Sequence, residues 1–480
     1  MTHEQRIPRS PIVVVLGHID HGKTTLLDTL RKTRVASKAA SFGRASLSIA
    51  ERESGGITQH AAAYELEHRG KRITFIDTPG HEAFEAMRKR GAILADVAVL
   101  IVAADDGVKP QTIESLRAIE DARIPFVIAI NKIDMPAADP GRIKAQLAER
   151  GVAIEEWGGK VPVVEISAKM SMNLDGLLEI ILLVSEIEEL TMNASAPASG
   201  IVLESYRDSR RGNTAELVLR DGSLAKGASI IAGSAVATIK IMEDSEGNAI
   251  EEARASSPVR IAGFDALPEA GAPFSAYANK AEAEEKRREA VTRAAQKMER
   301  PPSAIPLFFK ADTAGSQEAL LEALKKIKSE TAWYVAGSGI GDMGENDARF
   351  IETLPDPLIF GFRVAMRLHP RFDVIYEAIE WVTEVFAQRT AARAQAEHAR
   401  GTLRVARYFR RTGPSHIIGG RVLEGSIKRG DVFEGGSGRV VALEHHKARV
   451  EEIKKGEEAG LEVVAQKSPR EGQILSFYAP

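Results

Sequence analysis

Up to about residue 190, the apolar positions fall into short β-branched runs at 12–16, 73–76, 97–102, 126–130 and 161–166. The stretches between them place apolar residues at helical spacing, which predicts a mostly parallel sheet covered by helices. From 201 to 278 the pattern shortens to alternating strands broken by Gly, Pro and Asp, the signature of a small antiparallel barrel. Residues 280–300 are charged almost all round, with a thin stripe of Val291, Ala294, Ala295 and Met298, and stop at Pro301-Pro302. A spacer helix is expected there. Residues 305–310 then open a small α/β layer unit with helical spacing over 317–327 and a strand at 358–362. Residues 374–400 are helical again.

The last region repeats an earlier one. Gly222-Ser223-Leu224-Ala225-Lys226-Gly227 parallels Gly425-Ser426-Ile427-Lys428-Arg429-Gly430, and the strands upstream correspond in position. Two related barrels are expected, at the middle and the end of the chain. The fold class is therefore multidomain: an α/β domain, two antiparallel β-barrels, a small α/β layer domain and helical linkers. Expected bounds are 8–190, 200–278, a linker helix at 279–302, 303–373, a connecting helix at 374–400, and 401–480. The run 193–200, small and polar, marks the first boundary.

Length and composition narrow the class. A chain of 480 residues exceeds one hydrophobic core. With 44% apolar and 27% charged residues, and no apolar run long enough to cross a bilayer, a soluble protein is expected, without membrane contact. Zero cysteines exclude disulfides and thiolate metal sites, and a polar start without a signal pattern fits the cytoplasm. The net charge of −3 provides no global basic field, so nucleic-acid contact must come from local patches. Arg389, Arg393, Arg400, Arg404, Arg407, Arg410 and Arg411 form one such strip, readable as an RNA-facing surface or as a solvated helix face and barrel rim.

Ligands in parallel sheets sit beyond the carboxyl ends of the strands, and those ends carry the chemistry. Gly17-His18-Ile19-Asp20-His21-Gly22-Lys23-Thr24 fits G-x-x-x-x-G-K-[ST] between a strand and a helix, with Thr25 continuing into the helix. Glycines let N–H groups turn around an anion, and the helix adds its positive end. Lys23 is expected on the terminal phosphates and the Thr24 hydroxyl on Mg2+. His18 and His21 lack the surroundings of a metal site. In Asp77-Thr78-Pro79-Gly80-His81 the carboxylate can hold Mg2+ through water and the glycine admits a γ-phosphate. In Asn131-Lys132-Ile133-Asp134 the aspartate can accept two N–H bonds from a guanine edge while the lysine stem packs along the base, favouring GTP over ATP. Ser167-Ala168-Lys169 is placed to touch the base from its other side. Gly55-Gly56-Ile57-Thr58 offers a loop whose Thr58 completes the Mg2+ shell when a γ-phosphate is present. Each motif alone is ordinary strand-end turn chemistry; their order gives them meaning.

Together these five motifs resemble those of the translational GTPases. The resemblance assigns phosphate contacts to Lys23 and Thr24, switch one to Thr58, switch two to Asp77 through His81, and guanine recognition to Asn131, Lys132 and Asp134. It makes His81, otherwise readable as an exposed turn histidine, the residue that orients the attacking water, and it allows a monovalent cation beside Asp20. The ligands implied are GTP or GDP with Mg2+.

The whole chain resembles the bacterial initiation factor 2 family. The stretches that carry this are Gly55-Gly56-Ile57-Thr58-Gln59-His60, Ser257-Pro258-Val259, Leu267-Pro268-Glu269-Ala270-Gly271, Lys310-Ala311-Asp312 with Gly315-Ser316, and Val374-Ile375-Tyr376-Glu377-Ala378-Ile379. The resemblance implies both ribosomal subunits, ribosomal RNA and initiator tRNA as partners of a monomer, with the formyl-methionyl end held by the barrel at 401–480 and GTP hydrolysed around subunit joining. Besides the expected absence of the long N-terminal extension common in bacteria, three features depart from the family pattern. Residues 36–54 lengthen switch one; Gly420 and Ala459 stand where two cysteines are usual; and the α/β unit reaches Val374 early, with one helix shortened or missing. Two further classes stay open: a GTP-gated binding module whose hydrolysis is dispensable, and a factor of the archaeal and eukaryotic type that ignores the formyl group.

Overall fold

The computed structural model describes residues 6–38, 59–80, 82–291, 304–329, 332–397, 399–412, 415–433, 438–446, 448–465 and 468–479. The chain divides into two compact units, one of 1–328 with 332–380 and one of 329–331 with 381–480.

In the first unit, a six-stranded sheet is built from β1 (Ile12–Gly17), β2 (Ala62–His68), β3 (Lys71–Asp77), β4 (Val97–Ala103), β5 (Phe126–Asn131) and β6 (Val163–Glu165) in the order β2-β3-β1-β4-β5-β6. All neighbours are parallel except β2 with β3. Strands 12–17 and 97–103 are buried throughout, as continuous apolar runs demand when helices cover both faces. The helices are α1 (Lys23–Lys38), α2 (Glu85–Leu94), α3 (Pro110–Ala122), α4 (Pro140–Ala148) and α5 (Leu174–Ile187). Leu26, Leu27 and Leu30 of α1 and Leu177, Leu178 and Ile181 of α5 pack on one core with Val13, Phe75 and Val99.

A closed barrel follows: β7 (Ser199–Asp208), β8 (Gly212–Asp221), β10 (Ser229–Ala232), β11 (Ala235–Glu243), β13 (Pro258–Phe264) and β14 (Pro273–Tyr277) pair in the ring β8-β13-β11-β10-β14-β7. The short pair β9 (Ser223–Ala225) and β12 (Glu252–Arg254) lies beside it. Hydrogen bonds to Ser256 fix this barrel to the sheet domain, next to an ion pair buried within the sheet domain. Arg9 donates through both guanidinium arms to Asp96, each at 2.6 Å, and its Nη1 also reaches Ser256 Oγ at 3.2 Å. Ser256 O accepts from Thr74 Oγ1 at 2.6 Å.

After α6 (Lys280–Val291) comes a parallel four-stranded sheet, β16-β15-β17-β18, of β15 (Ile305–Ala311), β16 (Trp333–Ile340), β17 (Leu358–Phe362) and β18 (Arg371–Phe372). It carries α7 (Ala314–Lys325) and α8 (Glu345–Glu352); no helix lies between β17 and β18. The helix α9 (Ile375–Glu397) follows.

The second unit contains the other barrel. Its strands β19 (Gly401–Thr412), β20 (Ser415–Lys428), β21 (Val432–Phe433), β22 (Gly438–His445), β24 (Glu458–Ala465) and β25 (Ile474–Tyr478) close the ring β20-β24-β22-β21-β25-β19, with β23 (Glu452–Lys454) on the end of β20. This is the ring order of the first barrel, position for position. The shared glycines explain the repeat: Gly227 and Gly430 both sit at φ +91°, and their N–H groups donate to Ile239 O at 2.9 Å and Val440 O at 3.0 Å. A left-handed turn at these points needs glycine. The expected fold class holds: an α/β domain, two antiparallel barrels, a small α/β layer and linking helices. Among the described residues no helix is long and apolar enough to cross a membrane.

Candidate functional site

The loop 17–24 leaves β1 at the carboxyl edge of the sheet, with Gly17 at φ +148° and Gly22 at φ +89°. Neither position tolerates a side chain. A Cβ at Gly17 would fall 2.4 Å from Ile101 O, and one at Gly22 would fall 2.5 Å from Asn131 Nδ2. Lys23 is buried at the start of α1, where its ammonium donates to Gly17 O at 2.8 Å and His18 O at 2.7 Å. Two of its three hydrogens are thus held by the loop, leaving the third for an anion inside it. Burial pushes this ammonium down to about 8, against the attraction of Asp77 and, more weakly, Asp20. Thr24 is half-buried; Asp20 and Thr25 are exposed. His21 is buried and its imidazole, lowered by burial and by His18 to about 4, stays neutral at physiological pH.

Asp77 ends β3 directly beside Val15 of β1, buried, and Thr78 Oγ1 donates to Val15 O at 3.3 Å. Pro79 and Gly80 are also buried. A Cβ at Gly80 would come within 2.3 Å of Lys23 Nζ and 3.1 Å of Ile19 N, so the second loop closes on the first only because this residue is glycine. His81 and Thr58 lie outside the described residues, as do 39–58, most of the lengthened stretch; residues 36–38 form the last turn of α1.

On the base side, Asn131 ties two loops together. Its Nδ2 donates to His21 O at 2.9 Å and its Oδ1 accepts from Ala168 N at 2.9 Å, leaving one Nδ2 hydrogen uncommitted. Ser167 Oγ donates to Asp134 Oδ1 at 2.6 Å, fixing a carboxylate that is otherwise exposed. Ile133 N donates to Ile166 O at 3.3 Å, and Lys132 holds a left-handed φ of +64° with Nζ 3.8 Å from Asp105. Lys169 is exposed. The motifs of 17–24, 77–80, 131–134 and 167–169 therefore converge on one edge of one sheet.

Two supporting residues carry no motif. Gln111 of α3 accepts through Oε1 from Ile19 N at 3.3 Å and bonds His18 Nδ1, which pins the loop tip. Arg88 of α2, 1% exposed, donates to Pro79 O at 3.4 Å and to Glu114 at 2.9 Å, which holds the second loop from behind.

The donor set fits a guanine nucleotide with Mg2+. The glycine cradle leaves space for phosphate, the Thr24 hydroxyl and Asp77 carboxylate are hard oxygen ligands, and Mg2+ takes much of its shell from phosphates and water. Among the described residues no cluster of three or more His, Asp or Glu side chains forms a separate metal cage.

In the second barrel, Gly420 and Ala459 are direct cross-strand partners. A Cβ at Gly420 would fall 2.3 Å from Arg404 O and 2.6 Å from Leu403 Cδ2, so Leu403 fills the space a side chain would need. Phe409, exposed, lies over the neighbouring Gly419, and Arg407 stands 5.8 Å from its ring centre.

Fold and site define a P-loop GTPase of the translational class. Residues 8–186 match the elongation factor Tu GTP-binding domain, 197–277 match elongation factor G domain 2, and 280–371 match translation-initiation factor 2. Translation initiation factor 2 of Rubrobacter xylanophilus is 38% identical over 99% of this chain and 72% of its own length; that of Caldanaerobacter subterraneus is 37% identical over 98% and 70%. The factor of Pelotomaculum thermopropionicum is 36% identical, and the chain spans 50% of its length. The chain belongs to the translation initiation factor 2 family. A crystal structure of GDP-bound aIF5B from Aeropyrum pernix is 26% identical, with 99% of this chain and 92% of that one covered at a TM-score of 0.49.

Proposed function

We propose that this translational GTPase binds initiator tRNA on the ribosome in its GTP form, promotes subunit joining, and hydrolyses GTP when the ribosome positions His81. The observation that supports the nucleotide part is the Asn131 bridge, which ties the 17–24 loop at His21 O to the 167–169 loop at Ala168 N, next to Ser167 and its partner Asp134. In this reading Gly17 through Thr25 surround the phosphates and Thr24, Thr58 and, through water, Asp77 hold Mg2+. Thr78, Pro79 and Gly80 sense the γ-phosphate. Asn131, Lys132, Ile133, Asp134, Ser167, Ala168 and Lys169 enclose the guanine. Asp20 is the proposed neighbour of a monovalent cation. Bound Mg2+ would supply charge neutralisation at the phosphates; Lys23 meets the charge growing on the transferred phosphoryl group, and the chain aligns a water, without a covalent intermediate. Loss of the γ-phosphate releases Thr58 and Gly80.

A second reading, a factor that binds the ribosome without selecting the formyl group, is favoured by one feature. Gly420 and Ala459 present no thiol, and Leu403 occupies the space at Gly420. The test is binding of the full chain, loaded with a non-hydrolysable GTP analogue, to formylated and unformylated initiator methionyl-tRNA. The first reading expects the formylated form to bind at least about tenfold more tightly, a difference of about 1.4 kcal/mol. Equal binding would replace it with the second.

A further inference from the structure

A trans peptide is a rigid plane whose C=O and following N–H point in opposite directions, so a group that holds the carbonyl also aims the N–H. This geometry occurs where the second loop of the site meets α2. Pro79 O accepts from Arg88 Nη1 at 3.4 Å, and the same guanidinium donates through Nη2 to Glu114 of α3 at 2.9 Å. The plane that carries Pro79 O also carries Gly80 N, and no peptide bond among the described residues is cis. Gly80 is buried, and among the described residues its N–H makes no hydrogen bond. A buried backbone donor is rarely left without a partner, which marks this one for a ligand. Gly80 also lies against the phosphate loop, since a Cβ there would fall 2.3 Å from Lys23 Nζ and 3.1 Å from Ile19 N. Arg88 is held as firmly as the plane it holds. Its side chain is 2% exposed, and Glu114 neutralises the buried charge and fixes the guanidinium. The helix that bears it sits so close to the loop that a Cβ at Gly91 would fall 2.9 Å from Thr78 Cγ2.

From this we infer that Arg88 is a positioning residue for γ-phosphate recognition: by holding Pro79 O it orients the 79–80 peptide so that the Gly80 N–H is presented to the third phosphate. The inference rests on the reading of Gly80 as the residue that senses the γ-phosphate. Fixing a backbone conformation costs entropy, so a plane already oriented lowers what GTP binding must supply. GDP has no oxygen for this N–H to meet. Arg88 therefore acts on the preference between the two nucleotides and not on nucleotide binding in general, and it does so from α2 without touching either ligand.

The experiment measures affinities of the full chain for GDP and for a non-hydrolysable GTP analogue in Arg88→Met, Arg88→Lys and Lys89→Ala variants. Arg88→Met keeps the length and apolar body of the side chain while removing its donors, and it leaves the Glu114 carboxylate, 34% exposed, within reach of water. It is expected to weaken the GTP analogue about five- to tenfold with GDP unchanged. Arg88→Lys keeps the charge opposite Glu114 but has one nitrogen where Arg88 uses two, so its ratio of affinities should fall between wild type and Arg88→Met. Lys89→Ala removes a neighbouring ion pair on the same helix, to Glu85 at 2.7 Å, and should leave the ratio unchanged. If Arg88→Met keeps the wild-type ratio, or weakens both nucleotides alike as general loosening of the domain would, the inference is overturned. Should Arg88→Met fail to fold, Arg88→Lys decides by the same two criteria. If wild type binds neither nucleotide, the reading of the site fails, and the inference with it.

Discussion

The nucleotide site is governed by a few side chains whose surroundings set their charge. Lys23 shows this most directly. Its ammonium, pushed down to about 8 by burial, must be protonated to meet a phosphate, and a bound phosphate favours the charged form. A group whose pKa is higher bound than free gives its full contribution below the free value and loses it as pH rises. GDP affinity is thus expected to be level below pH 8 and to fall by up to about tenfold per pH unit above it, checked by titration calorimetry from pH 7 to 9.5. Lys23→Arg, which stays charged, should flatten that profile. The placement of these residue types was legible in sequence because phosphate and guanine chemistries each demand particular groups at strand ends, and the motifs sit there. Gln111 and Arg88 were not legible, since their partners, Ile19 N and Pro79 O, are backbone atoms 92 and 9 residues away that no pattern announces.

Among the elements, the sheet and the barrels differ in how much they disclose. The parallel strands were readable as apolar runs because both faces are covered, and the second barrel was readable because the glycines of its tight turns repeat those of the first. The joint between sheet domain and first barrel was not readable. It depends on Arg9 meeting Asp96 and Ser256, three residues that in sequence look like surface polar positions. Arg9 and Asp96 side chains are 7% and 3% exposed, so breaking the pair strands a buried guanidinium. Asp96→Ala is expected to lower the stability of the first unit by about 3–5 kcal/mol in chemical denaturation. Because Asp96 touches no nucleotide motif, GDP affinity of the folded variant should stay as in wild type.

Over the whole molecule, the order of domains followed from changes in periodicity, and family membership agrees with it. Sequence could not supply the contacts that couple one domain to another, such as His60 with Asp312 across 252 residues, because such pairs have no period and no local signature. GTPases of this kind hydrolyse slowly alone and gain several orders of magnitude when a partner completes the site. The most direct test is therefore the rate of GTP hydrolysis by the full chain with and without ribosomes, with ATP in parallel. The account predicts stimulation on the order of 10^3-fold for GTP, abolished by His81→Ala, and no ribosome-dependent ATP hydrolysis. Comparable hydrolysis of ATP, or a GTP rate indifferent to ribosomes, would contradict it.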